Sequence, residues 1–348
     1  MNILLTGGAG YIGSHAAVSL LANGHNICIL DNLTNSSKKV IQNLAIITKQ
    51  EVPFVEGDIL NKDLLIKILK DYNIDSVMHF AGLKSVSESV KNPLLYFKNN
   101  VQGTIVLLEA MERAEVSNLV FSGSATVYGD PQYLPIDENH PLNAMNPYGR
   151  SKQQIEEILR DVAYANESWN IVSLRYFNPI GAHPSGLIGE KYDGIPNNLM
   201  PIMCKVALGQ LKHLNVFGDN YKTSDGTGIR DYIDIMDLVE GHIAALEFIK
   251  KGESKFLNDQ DRGLKNFHSF NLGTGKGYSV LELIHTFEKV SGVSISYKFL
   301  DRRLGDIAEC YADYTKAKNI LGWTPKRSLE DMCQGTWDFI KNKNLDYS

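Results

Sequence analysis

Long apolar runs are missing from this chain. None approaches the roughly 20 residues that a helix needs to cross a bilayer, so no membrane span is expected. Cysteine is scarce: there are four in 348 residues. Cys28, Cys204, Cys310 and Cys333 stand far apart, with neither metal-ligand spacing nor a disulfide framework, and reduced thiols in the cytosol are the plain reading. No metal site is expected. Strong charge of either sign is also lacking. Lys and Arg number 35 against 40 Asp and Glu, a net charge of -5, which gives no reason to expect nucleic acid or an anionic membrane as partner. Met1-Asn2-Ile3-Leu4-Leu5-Thr6 carries no basic stretch and too short an apolar one for a signal peptide, so a cytoplasmic protein is expected. Internal repeats and low-complexity tails are absent.

What is present suits a globular enzyme. Apolar residues make up 43% and charged residues 22%. The length allows one large domain and a smaller one. The short runs Ile3-Leu4-Leu5, Ile27-Cys28-Ile29-Leu30, Val77-Met78-His79-Phe80, Leu119-Val120-Phe121 and Ile171-Val172-Ser173-Leu174 lack polar alternation and read as strands buried on both faces. Helical patterns lie between them over 11–23, 62–72, 101–112 and 148–165. Repeated strand–helix units predict a Rossmann-type, doubly wound parallel sheet over residues 1–177. After Phe177 the pattern breaks into a Gly- and Pro-rich stretch. Helices are expected at 198–208, 236–250, 280–290 and 329–341. Residues 178–348 read as a smaller mixed α/β domain with some segments crossing back to the first, and the polar stretch 250–265 as a surface loop.

The chemistry starts at Thr6-Gly7-Gly8-Ala9-Gly10-Tyr11-Ile12-Gly13, between the first strand and the first helix. Glycines at positions 7, 10 and 13 let the chain turn tightly and let backbone N–H groups approach a pyrophosphate at the helix N-terminus. Asp31 closes the second strand 18 residues after Gly13. A carboxylate there accepts from ribose hydroxyls and repels a 2′-phosphate, and the following residue, Asn32, is no cation; NAD is favoured over NADP. Asp58 and Ile59, after the third strand, could hold adenine, or Asp58 could be a helix N-cap. The small residues in Phe80-Ala81-Gly82-Leu83-Lys84 would let a dinucleotide lie close to the backbone.

Tyr148-Gly149-Arg150-Ser151-Lys152 places a tyrosine and a lysine one helical turn apart on one face, with Ile155 and Leu159 continuing the stripe. Removing a hydride from an alcohol carbon also requires removing the hydroxyl proton. A tyrosine of pKa ~10 is a poor base at neutral pH. Lowering it by about three units takes roughly 4 kcal/mol, which the Lys152 ammonium and an oxidised nicotinamide could supply in a dry pocket. Ser124, after the fifth strand, could hold the substrate oxygen or relay its proton, or be a turn serine.

Taken together, the glycine motif, His79-Phe80-Ala81-Gly82-Leu83-Lys84, Ser124-Ala125-Thr126-Val127-Tyr128-Gly129, Arg175-Tyr176-Phe177-Asn178-Pro179, Gly194-Ile195-Pro196-Asn197-Asn198-Leu199-Met200-Pro201 and Asp225-Gly226-Thr227-Gly228-Ile229-Arg230-Asp231-Tyr232 resemble the UDP-glucose (UDP-galactose) 4-epimerases of the extended short-chain dehydrogenase/reductase group, over essentially the whole chain. The resemblance implies tightly held NAD, oxidation of the sugar to a 4-keto intermediate, turning of that sugar, and return of the hydride to its other face. It implies cofactor contacts from Asn35, Ser36, Lys84, Asn99, Ser122, Tyr148, Lys152, Tyr176 and Phe177 in addition to those above. For the substrate it implies Lys84, Ser124, Tyr148, Asn178, Asn198 and Leu199, with Arg230 and Arg303 on the diphosphate, Asp306 on a ribose hydroxyl and Cys310 near the sugar. Where strict UDP-glucose enzymes usually carry a tyrosine, Cys310 is small, so N-acetylated UDP-hexoses are expected to fit as well. A homodimer through the helices at 101–112 and 148–165 is implied. A nucleotide-sugar 4,6-dehydratase is the alternative enzyme, but its acid pair would fall at Ala125 and Thr126, which cannot do that work. A non-catalytic NAD-binding regulator is the other alternative, against which stand both Tyr148 and Lys152.

Overall fold

The computed structural model describes residues 1–190, 198–252, 265–303 and 305–342. The expected loop at 250–265 and the segment Gly194-Ile195-Pro196-Asn197 therefore lie largely outside the described residues. Six parallel strands come first: β1 (Asn2–Thr6), β2 (Asn26–Asp31), β3 (Phe54–Glu56), β4 (Ser76–His79), β5 (Asn118–Ser122) and β6 (Asn170–Tyr176). A seventh, β10 (Phe267–Leu272), follows after three strands of the smaller region and pairs parallel to β6. The order across the sheet is β10-β6-β5-β4-β1-β2-β3. The winding reverses between β1 and β4, the place where such sheets open a crevice at their carboxyl ends.

Alternation along the strands sorts two cores. Ile3, Leu5, Ile27, Ile29, Val172 and Leu174 face α1 (Tyr11–Ala22), α2 (Lys38–Thr48) and α9 (Ile235–Lys250). Leu4, Cys28, Leu30, Val77, Leu119 and Phe121 face α3 (Lys62–Asp71), α6 (Gly103–Arg113) and α7 (Pro147–Ala165). Both faces are apolar because both are covered, so the strand runs show no polar alternation.

Between β4 and α6 the chain forms α4 (Val86–Lys91), α5 (Pro93–Tyr96) and a π-helical turn, Phe97–Gln102. The helix expected at 101–112 thus starts with a widened turn. Asn100 sits in it, buried, with its side chain accepting from the Leu83 N–H at 2.8 Å and donating to the Ser151 hydroxyl at 3.1 Å. Such turns recur at functional sites because they redirect a side chain. Helix α7 starts one residue before Tyr148: Asn146 caps it, accepting from the Gly149 N–H at 2.9 Å, and Pro147 fits the first turn, where its missing donor costs nothing.

The smaller region holds β7 (Asn178–Ile180), β9 (Ile229–Asp234), β11 (Gly277–Ser279) and β13 (Glu309–Cys310), all joined through β9, and a separate parallel pair, β8 (Leu214–Phe217) with β12 (Tyr297–Leu300). Helices α8 (Leu199–Ala207), α10 (Val280–Ser291) and α11 (Leu329–Asn342) enclose its own core around Met203, Phe287 and Trp337. The register of β13 on β9 sets Cys310 opposite Arg230.

Because β10 completes the large sheet from a distant part of the chain, it is integral to the main core. Phe270 is fully buried there. Replacing Phe270 with Ala is expected to lower unfolding free energy by about 3–5 kcal/mol in urea titration. A loss under about 1 kcal/mol would mean that the seventh strand is peripheral.

Candidate active site

At the carboxyl ends of the strands lies a cleft of about 700 Å³. Its floor is the glycine loop. Gly7 has φ +69°, and a β-carbon there would lie 2.6 Å from the Ala81 backbone nitrogen. At Gly13 a β-carbon would lie 2.5 Å from the Gly7 carbonyl. The loop, the start of α1 and the β4 exit are therefore packed backbone to backbone, which leaves the N–H groups of the first turn aimed at the cleft. Asp31 is nearly buried. It accepts from the Ala9 N–H at 3.1 Å, the Leu33 N–H at 2.8 Å and the Ser36 hydroxyl at 3.0 Å, so one carboxylate ties the glycine loop to the β2 exit.

The cleft is lined by Gly7, Gly10, Tyr11, Ile12, Gly13, Asp31, Asn32, Asn35, Ser36, Asp58, Ile59, Phe80, Ala81, Gly82, Lys84, Asn99, Tyr148, Lys152 and Tyr176. Ser122 and Phe177 do not line it. Ser122 stands behind Tyr176, its hydroxyl 3.0 Å from the Tyr176 oxygen, and Phe177 packs with Ala125, Val127 and Cys310. Asp58 is not the helix cap. Asn61 caps α3, while Asp58 accepts from the Asn32 side chain at 2.9 Å at the cleft edge. The shape and donors fit a dinucleotide: backbone N–H groups for phosphates, a carboxylate for ribose and small residues beneath.

Tyr148 and Lys152 both line the cleft and are both buried. The Lys152 ammonium donates to the Ser122 carbonyl at 2.8 Å and lies 4.7 Å from the centre of the Phe121 ring. Ser124 accepts from the Thr126 N–H at 3.2 Å and from the Thr126 hydroxyl at 2.9 Å. Both Thr126 donors point at it, so the Ser124 hydroxyl keeps its own proton to give, and its turn packs on the start of α7: a β-carbon at Gly149 would lie 2.9 Å from the Thr126 carbonyl. Burial pushes the Tyr148 phenol above its ordinary range, and Ser124 opposes that. Burial pulls the Lys152 ammonium down to about 8, with Glu156 opposing. The lowering of Tyr148 expected from sequence calls on two cations, Lys152 and an oxidised nicotinamide, of which the protein alone supplies the first.

A second cavity, of about 210 Å³, opens in the smaller region. Asn178, Asn198, Leu199, Arg230, Arg303 and Asp306 line it. Arg303 donates to Asp306 at 2.8 Å and lies over the Phe217 ring, and Arg230 donates to the Ile229 carbonyl at 2.8 Å. Cys310 lines neither cavity but is buried beside Ala125 and Phe177, next to the Ser124 turn, and burial pushes its thiol up to about 12. Sequence reasoning missed Glu190, which lines this cavity and accepts from the Lys84 ammonium at 2.7 Å, bridging the two openings. It also missed Thr126 as the partner of Ser124, and Phe217 and Tyr221. Among the described residues no cluster of His, Cys, Asp or Glu could hold a metal ion.

A family model described as GDP-mannose 4,6 dehydratase matches residues 4–336. The UDP-glucose 4-epimerase of Bacillus subtilis (strain 168) is 53% identical over 337 residues, 97% of this chain and 96% of that protein. This chain belongs to the UDP-glucose 4-epimerase family. The crystal structure of UDP-glucose 4-epimerase from Bifidobacterium longum in complex with NAD+ and UDP superposes with a TM-score of 0.92 at 46% identity, covering 99% of each chain. The UDP-Glc/GlcNAc 4-epimerase of Campylobacter jejuni is also similar, with a TM-score of 0.82 at 37% identity over 98% of this chain and 99% of that one. The dehydratase model describes the scaffold that the epimerase family shares with dehydratases. At the positions of a dehydratase's acid pair, Ala125 is buried and the Thr126 hydroxyl is committed to Ser124.

Replacing Gly7 with Ala puts a side chain into a left-handed backbone and against Ala81, a strain on the order of 1–3 kcal/mol. The variant is expected to purify with less bound dinucleotide and to melt at lower temperature. Full cofactor content, measured by absorbance after acid release, would show that the close approach is dispensable.

Proposed function

We propose that this protein is an NAD-dependent UDP-glucose 4-epimerase that interconverts UDP-glucose and UDP-galactose through a 4-keto sugar. The observation that supports this best is that Tyr148 and Lys152 line the dinucleotide cleft, with the Ser124 turn packed on the start of their helix and a basic and amide-lined cavity adjoining across the Lys84–Glu190 bridge. Residues 1–177, with the strand and helix that return to them, hold the cofactor; residues 178–348 hold mainly the UDP-sugar. The glycine loop would hold the pyrophosphate, Asp31 and Asn32 the adenosine ribose, and Phe80 to Lys84 with Tyr176 the nicotinamide half. Bound there, NAD would supply reversible hydride acceptance for the sugar C4. Tyr148 takes the proton of the C4 hydroxyl, Ser124 stabilises the phenolate by its hydrogen bond, and Lys152 adds positive charge one turn away.

The hexose must turn while UDP stays fixed. Arg230, Arg303, Asn178, Asn198 and Asp306 supply strong polar contacts for the nucleotide. Beside the Ser124 turn, Ala125, Val127, Phe177 and Cys310 form a buried apolar cluster that offers a hexose no strong polar hold. A neutral, small Cys310 leaves room for an N-acetyl group, which supports turnover of the N-acetylated UDP-hexoses too. Exposed Leu94, Ile105 and Tyr164, on or near α6 and α7, support a homodimer through those helices. No helix among the described residues is long and apolar enough to cross a membrane, and the four cysteines are buried and form no disulfide with one another. This supports a cytoplasmic enzyme.

Purified protein, without added NAD, is expected to epimerise both UDP-glucose and UDP-N-acetylglucosamine. Inertness toward both overturns the function, and inertness toward the N-acetyl sugar alone overturns the wider range. Replacing Cys310 with Tyr is expected to abolish N-acetyl turnover and spare UDP-glucose; persistence of both would remove the steric explanation. In a separate variant, Tyr148→Phe is expected to retain cofactor and UDP-sugar binding while kcat falls about 10²–10⁴-fold. Near-normal turnover would place the base elsewhere.

A further inference from the structure

Behind Lys152 the structure buries a pair of charges that the mechanism above does not use. Glu156 lies one turn further along α7 and is completely enclosed, as is Arg175 near the end of β6. Arg175 Nη2 donates to Glu156 Oε2 at 2.7 Å, and its Nε donates to both carboxylate oxygens at 3.1 Å. The Ser173 hydroxyl donates to Glu156 at 2.9 Å. The other arm of the guanidinium, Nη1, donates to the Tyr128 hydroxyl at 3.0 Å, and Tyr128 in turn donates to Asn271 of β10 at 2.7 Å. Tyr128 immediately follows the short helical turn Ala125–Val127 that Ser124 caps.

One guanidinium therefore grips both the turn that carries Ser124 and the helix that carries Tyr148, which pack together where Gly149 meets the Thr126 carbonyl. Through Glu156 it holds the helix that carries Tyr148 and Lys152. Through Tyr128 it holds the turn that begins at Ser124. A buried ion pair is poor evidence for added stability, since well-packed apolar residues often do as well. Its retention at this junction calls for another reason. We propose that the Arg175–Glu156 pair is a positioning device for the reaction: it sets Ser124 against Tyr148 and keeps a carboxylate one turn below Lys152. The proposal rests on the epimerase reading above.

The surroundings of Lys152 make the carboxylate matter. From α7 it is faced by Tyr148 and Glu156. From β4 comes His79, whose imidazole burial pulls down to about 3 and so leaves neutral. From β5 come the Phe121 ring and the Ser122 carbonyl, with the Tyr176 hydroxyl of β6 bonded to Ser122 behind them. Among the described residues, Glu156 is the negative group that raises the affinity of Lys152 for its proton against burial. Without it, Lys152 would lose its charge at lower pH, and Tyr148 would lose the nearby cation.

The test compares three proteins. The wild type must first epimerise UDP-glucose; if it does not, the functional reading fails and not this one. Removing Glu156 alone would strand a buried guanidinium, so Glu156→Gln is combined with Arg175→Gln. In that double variant, cofactor content and KM for UDP-glucose are expected to stay within about twofold. Its kcat is expected to fall at least tenfold, and the alkaline limb of its kcat–pH profile to move down by about one unit. The third protein, Glu156→Asp, keeps the charge but shortens its reach. It should keep the wild-type alkaline limb while losing several-fold in kcat. Wild-type kcat and pH profile in the double variant would overturn the proposal. If the double variant fails to fold, the Asp variant decides: unchanged kcat in it would overturn the proposal as well.

Discussion

Keeping a lysine ammonium charged in a dry place is the constraint on which this site is built. Lys152 is 5% exposed, and burial alone works to strip its proton. The fold answers with a carbonyl from the end of β5, the face of an aromatic ring and a carboxylate one turn along the same helix. None of these would serve on a mobile element. They sit on one strand, β5, of a fully covered sheet and on a helix, α7, whose first turn Asn146 caps. The same desolvation that threatens Lys152 makes every remaining dipole and charge near Tyr148 count for more than it would in water.

The two apolar cores serve this chemistry indirectly. Since each strand buries both faces, strand ends are the places where backbone groups and polar side chains can emerge together. Gly7, Asp31, Asp58, Ala81 and Ser122 all lie at or just beyond such ends. The late strand β10 adds a further edge, and Asn271 on it receives the Tyr128 hydroxyl, so a segment far along the chain helps define the turn at Ser124.

Features encoded by near neighbours in sequence could be read before the structure. The glycine loop, the Tyr148–Lys152 spacing and the five apolar strand runs depend on contacts within a turn or on uniform burial. What could not be read depends on long-range contacts. Nothing local about Glu190 tells that it meets Lys84, 106 residues earlier. The helix Lys38–Thr48 has no side-chain cap and is largely half-exposed, so neither end nor face stands out. Asp58 resembled a helix cap because its type and place suit one; Asn61, closer to the helix, takes the role. Thr126 looked inert because only the acid–base capacity of its side chain was weighed, whereas its use is to orient a neighbour. The burial around Tyr148 was equally out of reach: spacing shows which cation is near but not how much water is gone.

The ion pair between Arg303 and Asp306 has a consequence for how ligands enter. The guanidinium already has a partner, held three residues away and so present at a high effective concentration. An incoming anion must displace that carboxylate. The pair is partly exposed and therefore weak, roughly 0–1 kcal/mol, so it offers little resistance to a multiply charged group that engages Arg230 as well. The pair thus acts as a resting clamp: it holds the Arg303 guanidinium at the cavity lining, over the Phe217 ring, while costing a displacing ligand little.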